Sequence, residues 1–404
     1  MVNKIRTTHV GSLPRTEELL EANLQRSAGE ISDEAFHEIL ERSVDDVVKR
    51  QVDMGIDILN EGEYGHITSG AVDYGAWWNY SFTRLGGLTM TDKDRWEIGD
   101  KIRSEPGKIR LSSMKDRRDR ALFAEAYNDP DSGIFTGRKK VANPEFTGPV
   151  TYIGQDQVDA DVSLLKQAMS KAGASNGFVA ALSPGSAARL PNKFYEEDID
   201  LVRACGEALK AEYKAITDAG LTVQFDAPDL AEAWDSVVPE PSVADFQAFL
   251  HERIAVLNES IKDIPREQTR LHICWGSWHG PHVTDIPFGD IIEEILQAKV
   301  GGFSFEGASP RHAHEWRVWQ DHKLPEGTVI YPGVVSHSTN AVEHPQLVAD
   351  RIIKFAELVG PENVVASTDC GLGGRLHYQI AWAKLQALVD GAELATRELF
   401  SPSE

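Results

Sequence analysis

Leu271-His272-Ile273-Cys274-Trp275-Gly276 is the stretch on which the fold turns. Side chains on an extended strand alternate between its two faces, so His272 and Cys274 point the same way. Three other segments repeat the arrangement. Val223 and Phe225 oppose Gln224 and Asp226; Phe303 and Phe305 oppose Ser304 and Glu306; the Val365–Asp369 set opposes Ala366, Thr368 and Cys370. Apolar residues turn to a helix layer, and the polar set gathers at the C-terminal strand ends, where parallel α/β barrels keep their sites.

Outward from that stretch the chain alternates short β-prone runs with helical periodicity, the mark of βα units. Strand candidates are Ile56–Glu63, Gly177–Pro184, Leu221–Pro228, Arg270–Gly276, Gly301–Gly307, Val329–Val335 and Val364–Cys370, with Ile5–Ser12 and Pro149–Ile153 as shorter ones. Nine candidates for eight places leave one outside the barrel. Ser242 and Asp245 predict a helix start, and Phe246, Leu250, Ile254, Leu257 and Ile261 recur at helical spacing. The fold expected is α/β, a (β/α)8 TIM-type barrel forming one domain over 1–404. Residues 64–145 break the rhythm without a clear strand series and are expected to be an insertion over one end.

A net charge of −22 argues against nucleic acid and anionic membrane surfaces as partners. The run Lys115, Arg117, Arg118, Arg120 alternates with aspartates and is expected to be a solvated helix face. No apolar stretch approaches the ~20 residues of a membrane span. Met1–Val10 lacks the apolar core of a signal peptide, so a cytoplasmic location is expected. Three scattered cysteines make no disulfide framework. Cys205 falls in the helical run Tyr195–Gly220 and reads as core; Cys274 and Cys370 remain for chemistry.

One imidazole and two thiolates, from His272, Cys274 and Cys370, form a soft set that favours zinc in tetrahedral geometry, with Glu306 for the fourth position. A His-x-Cys pair alone is more often structural; a second cysteine in Asp369-Cys370-Gly371-Leu372-Gly373-Gly374 reverses that balance. A zinc-bound thiol loses its proton near neutral pH, whereas a free one has a pKa of about 8.5. Two cysteine thiolates already neutralise the dication, so the bound substrate sulfur stays nucleophilic. His279 with His282, or His312 with His314, would be a rival metal pair, although such loop histidines more often make hydrogen bonds.

In order and spacing, several motifs together resemble the catalytic half of cobalamin-independent methionine synthase and its single-barrel relatives, including epoxyalkane:coenzyme M transferase. They are Thr8-His9-Val10-Gly11-Ser12-Leu13-Pro14, Glu61-Gly62-Glu63, Phe225-Asp226-Ala227-Pro228, His272-x-Cys274, Phe305-Glu306, Pro332-Gly333-Val334 and Asp369-Cys370-Gly371. The resemblance spans nearly the whole chain. It implies a TIM-type barrel with zinc at His272, Cys274, Glu306 and Cys370, and a homocysteine-like substrate against Ser12, Glu63 and Asp226, with Asp226 also catalytic. His337 matches the family's proton-donating histidine if one gap is allowed. The chain departs from the synthase at Ala227, where an acidic residue is usual, in the longer insertion, and in lacking an N-terminal second barrel.

The expected activity is zinc-dependent S-methyl or alkyl transfer to a small, homocysteine-like thiol held as a zinc thiolate. Candidates for the alkyl donor include a methylated pterin and a corrinoid. An alternative replaces the methyl donor with an epoxide or another electrophile, as in the coenzyme M enzyme, with Arg15, Arg189 or Arg311 for a sulfonate. A third uses the scaffold as a metal-independent decarboxylase or a zinc or thiol carrier. Trp77, Trp78, Trp275 and Trp278 are candidates to line a pocket for a flat donor. The sequence leaves open whether the protein is a homo-oligomer.

Overall fold

The computed structural model describes residues 4–66, 80, 83–94, 102–112, 114–134 and 142–400. The β-prone runs become strands: β1 (Arg6–Thr7), β2 (Leu88–Asp94), β3 (Ala142–Phe146), β4 (Phe178–Leu182), β5 (Thr222–Ala227), β6 (Thr269–Ile273), β7 (Gly302–Phe305), β8 (Val329–Val335) and β9 (Val365–Thr368). Seven of them form one sheet in the order β1-β9-β8-β7-β6-β5-β4, and every neighbouring pair is parallel. This is the α/β barrel architecture that the alternation predicts.

The eighth place, between β1 and β4, is held by Ile56–Asn60. Thr7 O accepts from Asp57 N and Ile58 N, both at 3.1 Å, while Leu59 N donates to Asn176 O at 3.0 Å and accepts across from Phe178 N through its carbonyl at 2.9 Å. The predicted strand Ile56–Glu63 is thus reduced to one parallel bridge, Leu59 with Gly177. It stops early because the Asn60 side chain bends the chain back, accepting from Gly62 N at 2.6 Å. Pro149–Ile153 is the surplus candidate: Tyr152 pairs antiparallel with Leu85, outside the barrel sheet.

Strands β4, β6 and β7 are buried at every position, as expected when helices cover one face of a parallel sheet and barrel contents the other. The helix Val243–Ser260 starts where Ser242 Oγ accepts from Asp245 N at 3.0 Å. Its Phe246, Leu250, Ile254 and Leu257 are buried, each worth roughly 1.5–3 kcal/mol of hydrophobic transfer. Cys205 lies fully buried in the helix Asp198–Asp218, and burial pushes its thiol far up, which suits a core role. Inside the barrel, Arg270 reaches across to Gln224 Oε1 (2.8 Å) and His9 O (2.8 Å), and Gln224 donates to Val10 O (2.6 Å). The bonds to His9 and Val10 tie β6 and β5 to the segment after β1, which is not their neighbour in the sheet.

Two expectations for the inserted region differ from the structure. It contains a two-stranded antiparallel sheet, β2 with β3, which the sequence hides because Pro144 sits within β3. A two-stranded ribbon tolerates proline where a central strand would not. The basic run is also not a solvated face: Arg117 is buried, paired with Glu232, and its guanidinium lies 4.2 Å from the Trp278 ring centroid. Arg118 pairs with Glu240 and donates to Trp234 O at 2.8 Å. Lys115 alone of the four is exposed. No helix among the described residues is long and apolar enough to cross a membrane.

Candidate functional site

At the C-terminal ends of β6 and β9, the parallel sheet brings together three side chains almost a hundred residues apart in sequence. The ligand atoms of His272, Cys274 and Cys370 all lie within 4.8 Å of one another. His272 stands at a fully buried position on β6, and Cys274 follows just beyond the strand end. Cys370 emerges two residues after β9, where the backbone opens into the glycine-rich turn. Gly373 is required there: a Cβ on it would meet Leu13 O at 2.5 Å and Ser12 Oγ at 2.6 Å.

The two sulfurs are 3.7 Å apart. That is far too long for a disulfide, whose S–S bond is about 2.05 Å. Two sulfurs bound at about 2.3 Å to one tetrahedral zinc ion would be about 3.8 Å apart. His272 Nδ1 lies 3.1 Å from Ser304 Oγ, which orients the ring, while the buried Nε2 has no hydrogen-bond partner. An oriented imidazole with its second nitrogen uncommitted is what a metal ligand requires. The residues present therefore fit zinc. The sulfur–sulfur hydrogen bond and burial push the Cys274 thiol well up, while the same bond and His272 hold Cys370 well down.

Glu306 does not fall within that compact trio. It groups instead with His337 and Asp369, whose ligand atoms also lie within 4.8 Å of one another. Trp275 N donates to Glu306 Oε1 at 3.3 Å, and burial pushes this carboxyl well above its usual range, with His312 opposing. Asp369 Oδ1 accepts from Gly307 N and Ala308 N, both at 2.8 Å, leaving Oδ2 unpartnered. Both ring nitrogens of His337 are buried without a partner, and burial lowers its pKa to about 3. Alternation along Val365–Asp369 places Asp369 on the face away from Cys370, whereas the structure sets its carboxyl beside Glu306 and His337, bonded to the backbone just after β7.

The residues expected to bind substrate also converge. Ser12 bonds to the Glu63 carboxyl, whose pKa is raised by burial against the opposing effects of His66 and Arg15. Asp226 pairs in register with His272 across β5 and β6 and accepts from Gln224 Nε2 at 2.8 Å. Burial raises Asp226 to about 7, with Glu63 and Cys370 adding to the shift and His272 opposing it. Glu63 adopts a left-handed backbone conformation (φ 57°), uncommon for a residue with a side chain. Its carboxylate also fixes the need for glycine at 11, where a Cβ would approach Glu63 Oε1 to 2.4 Å.

The rival histidine pairs do not assemble as metal ligands. His282 Nδ1 lies 3.0 Å from Asp285 Oδ2, and the same carboxylate oxygen is 3.1 Å from His312 Nε2. His312 Nδ1 lies 2.8 Å from Glu315, and its ring centroid is 4.4 Å from that of Trp275. This network braces the loop carrying Trp275 and Trp278. From the inserted region, Tyr127 accepts from Trp278 Nε1 at 2.7 Å and donates to Asp119 at 2.7 Å. Of the cations considered for a sulfonate, Arg189 pairs with Glu232, Arg311 donates to Val283 O, and Arg15 donates to His66 O. Trp77 and Trp78 lie outside the described residues.

Comparison with known proteins identifies the family. Residues 5–188 and 154–394 match the family model described as the catalytic domain of cobalamin-independent synthase. The chain is 28% identical over 213 residues to a methionine synthase of Thermococcus kodakarensis, covering 52% of this chain and 54% of that protein. It is 25% identical over 171 residues to a 2-hydroxypropyl-CoM lyase of Xanthobacter autotrophicus, covering 36% of this chain and 45% of that one. It thus matches about half the length of each of these two relatives. A B12-independent methionine synthase from Shewanella, solved in complex with selenomethionine, shares the fold with a TM-score of 0.66 at 19% identity, covering 98% of this chain and 99% of that one. With the model matched along nearly its whole length, the chain belongs to the family of cobalamin-independent synthase catalytic domains.

Proposed function

We propose that this protein is a zinc-dependent S-methyltransferase acting on a small amino-acid thiol of the homocysteine type, carried by a single barrel domain into which 64–145 is inserted. The observation that carries the reading is the convergence of His272, Cys274 and Cys370, with sulfurs spaced for one tetrahedral ion and an uncommitted imidazole nitrogen between strand ends. These three hold the zinc, and Glu306 is the fourth, displaceable ligand. When bound, zinc supplies the positive charge that lets a substrate thiol ionise near neutral pH.

Each remaining residue has a task that its position allows. Glu63 and Asp226 pair with the substrate ammonium group, and backbone donors around Gly11–Ser12 receive its carboxylate. Burial disfavours the bare carboxylates of Glu63 and Asp226, so an incoming cation stabilises their charged forms. His337, whose ring nitrogens are otherwise unpartnered, relays the thiol's proton to the departing donor without resting in the charged form, since burial lowers its pKa to about 3. In that step the bond from substrate sulfur to methyl carbon forms as the bond from donor to methyl carbon breaks. The methyl donor is a methylated pterin or a corrinoid, and the setting is cytoplasmic.

The amino-acid thiol is favoured over a sulfonated one because the guanidinium of Arg189 is committed to Glu232 in a buried pair. The test is zinc content per purified chain, followed by titration of the cobalt-substituted protein with homocysteine, coenzyme M, glutathione and cysteine. A spectral change with homocysteine, and methionine formed when methylated pterin is added, is the expected result. A response to coenzyme M alone would replace the methyl reading with alkylation by an epoxide. No stoichiometric metal, or metal indifferent to every thiol, would overturn both and leave a carrier or a decarboxylase.

A further inference from the structure

We infer that the buried ion pair Lys384–Glu343 is a positioning device for His337, resting on the reading of that histidine as the proton carrier. The His337 ring makes no hydrogen bond through either nitrogen, so nothing at the ring itself fixes where it points. Its direction depends on packing and on the backbone that presents it. That backbone lies in the loop between β8 and the helix Pro345–Val359, much of which is exposed at 340–344.

An exposed loop is a poor mount for a group that must be placed within a fraction of an ångström. Here it is tied from inside. The Lys384 side chain is completely buried on the helix Tyr378–Phe400, and its ammonium donates to Glu343 Oε2 at 2.8 Å and to Ala341 O at 2.5 Å. The other Glu343 oxygen accepts from Ser336 N at 2.8 Å, the residue immediately before His337. On the other side, His279 Nε2 donates to His337 O at 3.0 Å. The hydroxyls of Ser336 and Ser338 meet at 2.8 Å, closing the turn around the histidine. Lys384, Glu343 and His279 therefore hold the backbone on both sides of a ring that has no tether of its own.

A buried ion pair adds little to stability over apolar residues of similar volume, whereas a geometric task gives it a reason to exist. Lys384 touches neither the metal trio nor the residues expected to bind substrate, so its effect must pass through the loop. The double substitution K384M/E343L removes both charges together and avoids leaving one buried and unpaired. It is expected to fold, to keep wild-type zinc content and an unchanged KM for the thiol, and to lose about tenfold or more in kcat. In an H337Q background the same double substitution should cause no further loss, because residues acting through one group are not additive. E343Q offers one oxygen to two donors and leaves the buried Lys384 ammonium without its counter-charge, so it should lose kcat as well.

A readout without turnover separates this inference from the methyltransferase reading. Long-range proton–nitrogen NMR of the histidine rings should show His337 as one sharp tautomer in the native protein and shifted or broadened in K384M/E343L. A folded double variant with unmoved His337 signals would overturn the positioning role, as would an equal kcat loss with and without His337. If no methyl transfer is found but the signals move, the positioning role stands and only the assigned reaction falls.

Discussion

The metal-candidate edge of the barrel and the inserted region around 114–128 both meet at the loop after Cys274, yet they are built on different principles. At the edge, His272, Cys274 and Cys370 are carried by strand ends whose positions follow from parallel register, so each residue's direction is a matter of counting along a strand. In the inserted region, Arg117, Asp119 and Tyr127 sit on short helical turns and find partners more than a hundred residues away in Glu232, Asp235 and Trp278. The first region has chemistry written into secondary structure. The second has charge that only the packed chain can interpret, and the difference separates reactive residues from those that brace them.

The largest effect should come from breaking the edge itself. Cys370→Ser should reduce metal affinity by more than about a hundredfold, beyond what outer-shell changes cause, while leaving the circular-dichroism spectrum native. Retention of stoichiometric zinc in that variant would remove Cys370 from the ligand set. Ser304→Ala tests the same edge one step out. It deletes the partner of His272 Nδ1, and a loss of metal affinity of about 10–100-fold is expected by competition with a chelator.

The inserted region should answer in stability and not in metal content. Arg117→Met leaves buried Glu232 with Arg189 as its remaining guanidinium partner, and destabilisation of about 3 kcal/mol or more is expected in denaturant unfolding. Tyr127→Phe removes the acceptor for Trp278 Nε1 and the donor to Asp119, for about 1–3 kcal/mol. If either variant instead loses its metal, the two regions are one site and the contrast drawn between them fails.

The smallest effect is expected in pH dependence at the seam where the regions join. His312 is raised to about 10: burial opposes its charge, but Asp285 and Glu315 bond to the ring and Glu306 adds attraction, with His282 nearby acting against it. A folded-state pKa above the unfolded value of about 6.5 means that the charged ring stabilises fully at low pH. That contribution fades as pH rises through about 10. The melting temperature of wild type should therefore exceed that of His312→Asn at pH 6, and the gap should narrow toward pH 10. A constant gap would show that the ring stabilises by packing on Trp275 alone.

Much of the fold was legible because barrel strands announce themselves by alternation: Gln224 and Asp226, Ser304 and Glu306, and His272 and Cys274 each repeat one pattern, which needs no knowledge of neighbours. Pro149–Ile153 shared that local pattern and still fell outside the barrel sheet, since a strand's partner is chosen by the whole chain. Ile56–Glu63 was read as a strand and became a single bridge, because the Asn60 side chain redirects the backbone.

By itself, the sequence determined the parallel α/β alternation, the strand-borne His272, Cys274 and Cys370, and the family motifs around Ser12, Glu63 and Asp226. These depend on residue type and short-range spacing. Only the tertiary structure decided that Glu306 stands with His337 and Asp369, that Arg117 is buried against Trp278 and Glu232, and that Lys384 reaches the loop after the candidate proton carrier. The physical reason is that burial and pairing of charge are properties of three-dimensional neighbours. An aspartate, arginine or lysine looks alike in sequence whether water or a single buried counter-ion will surround it.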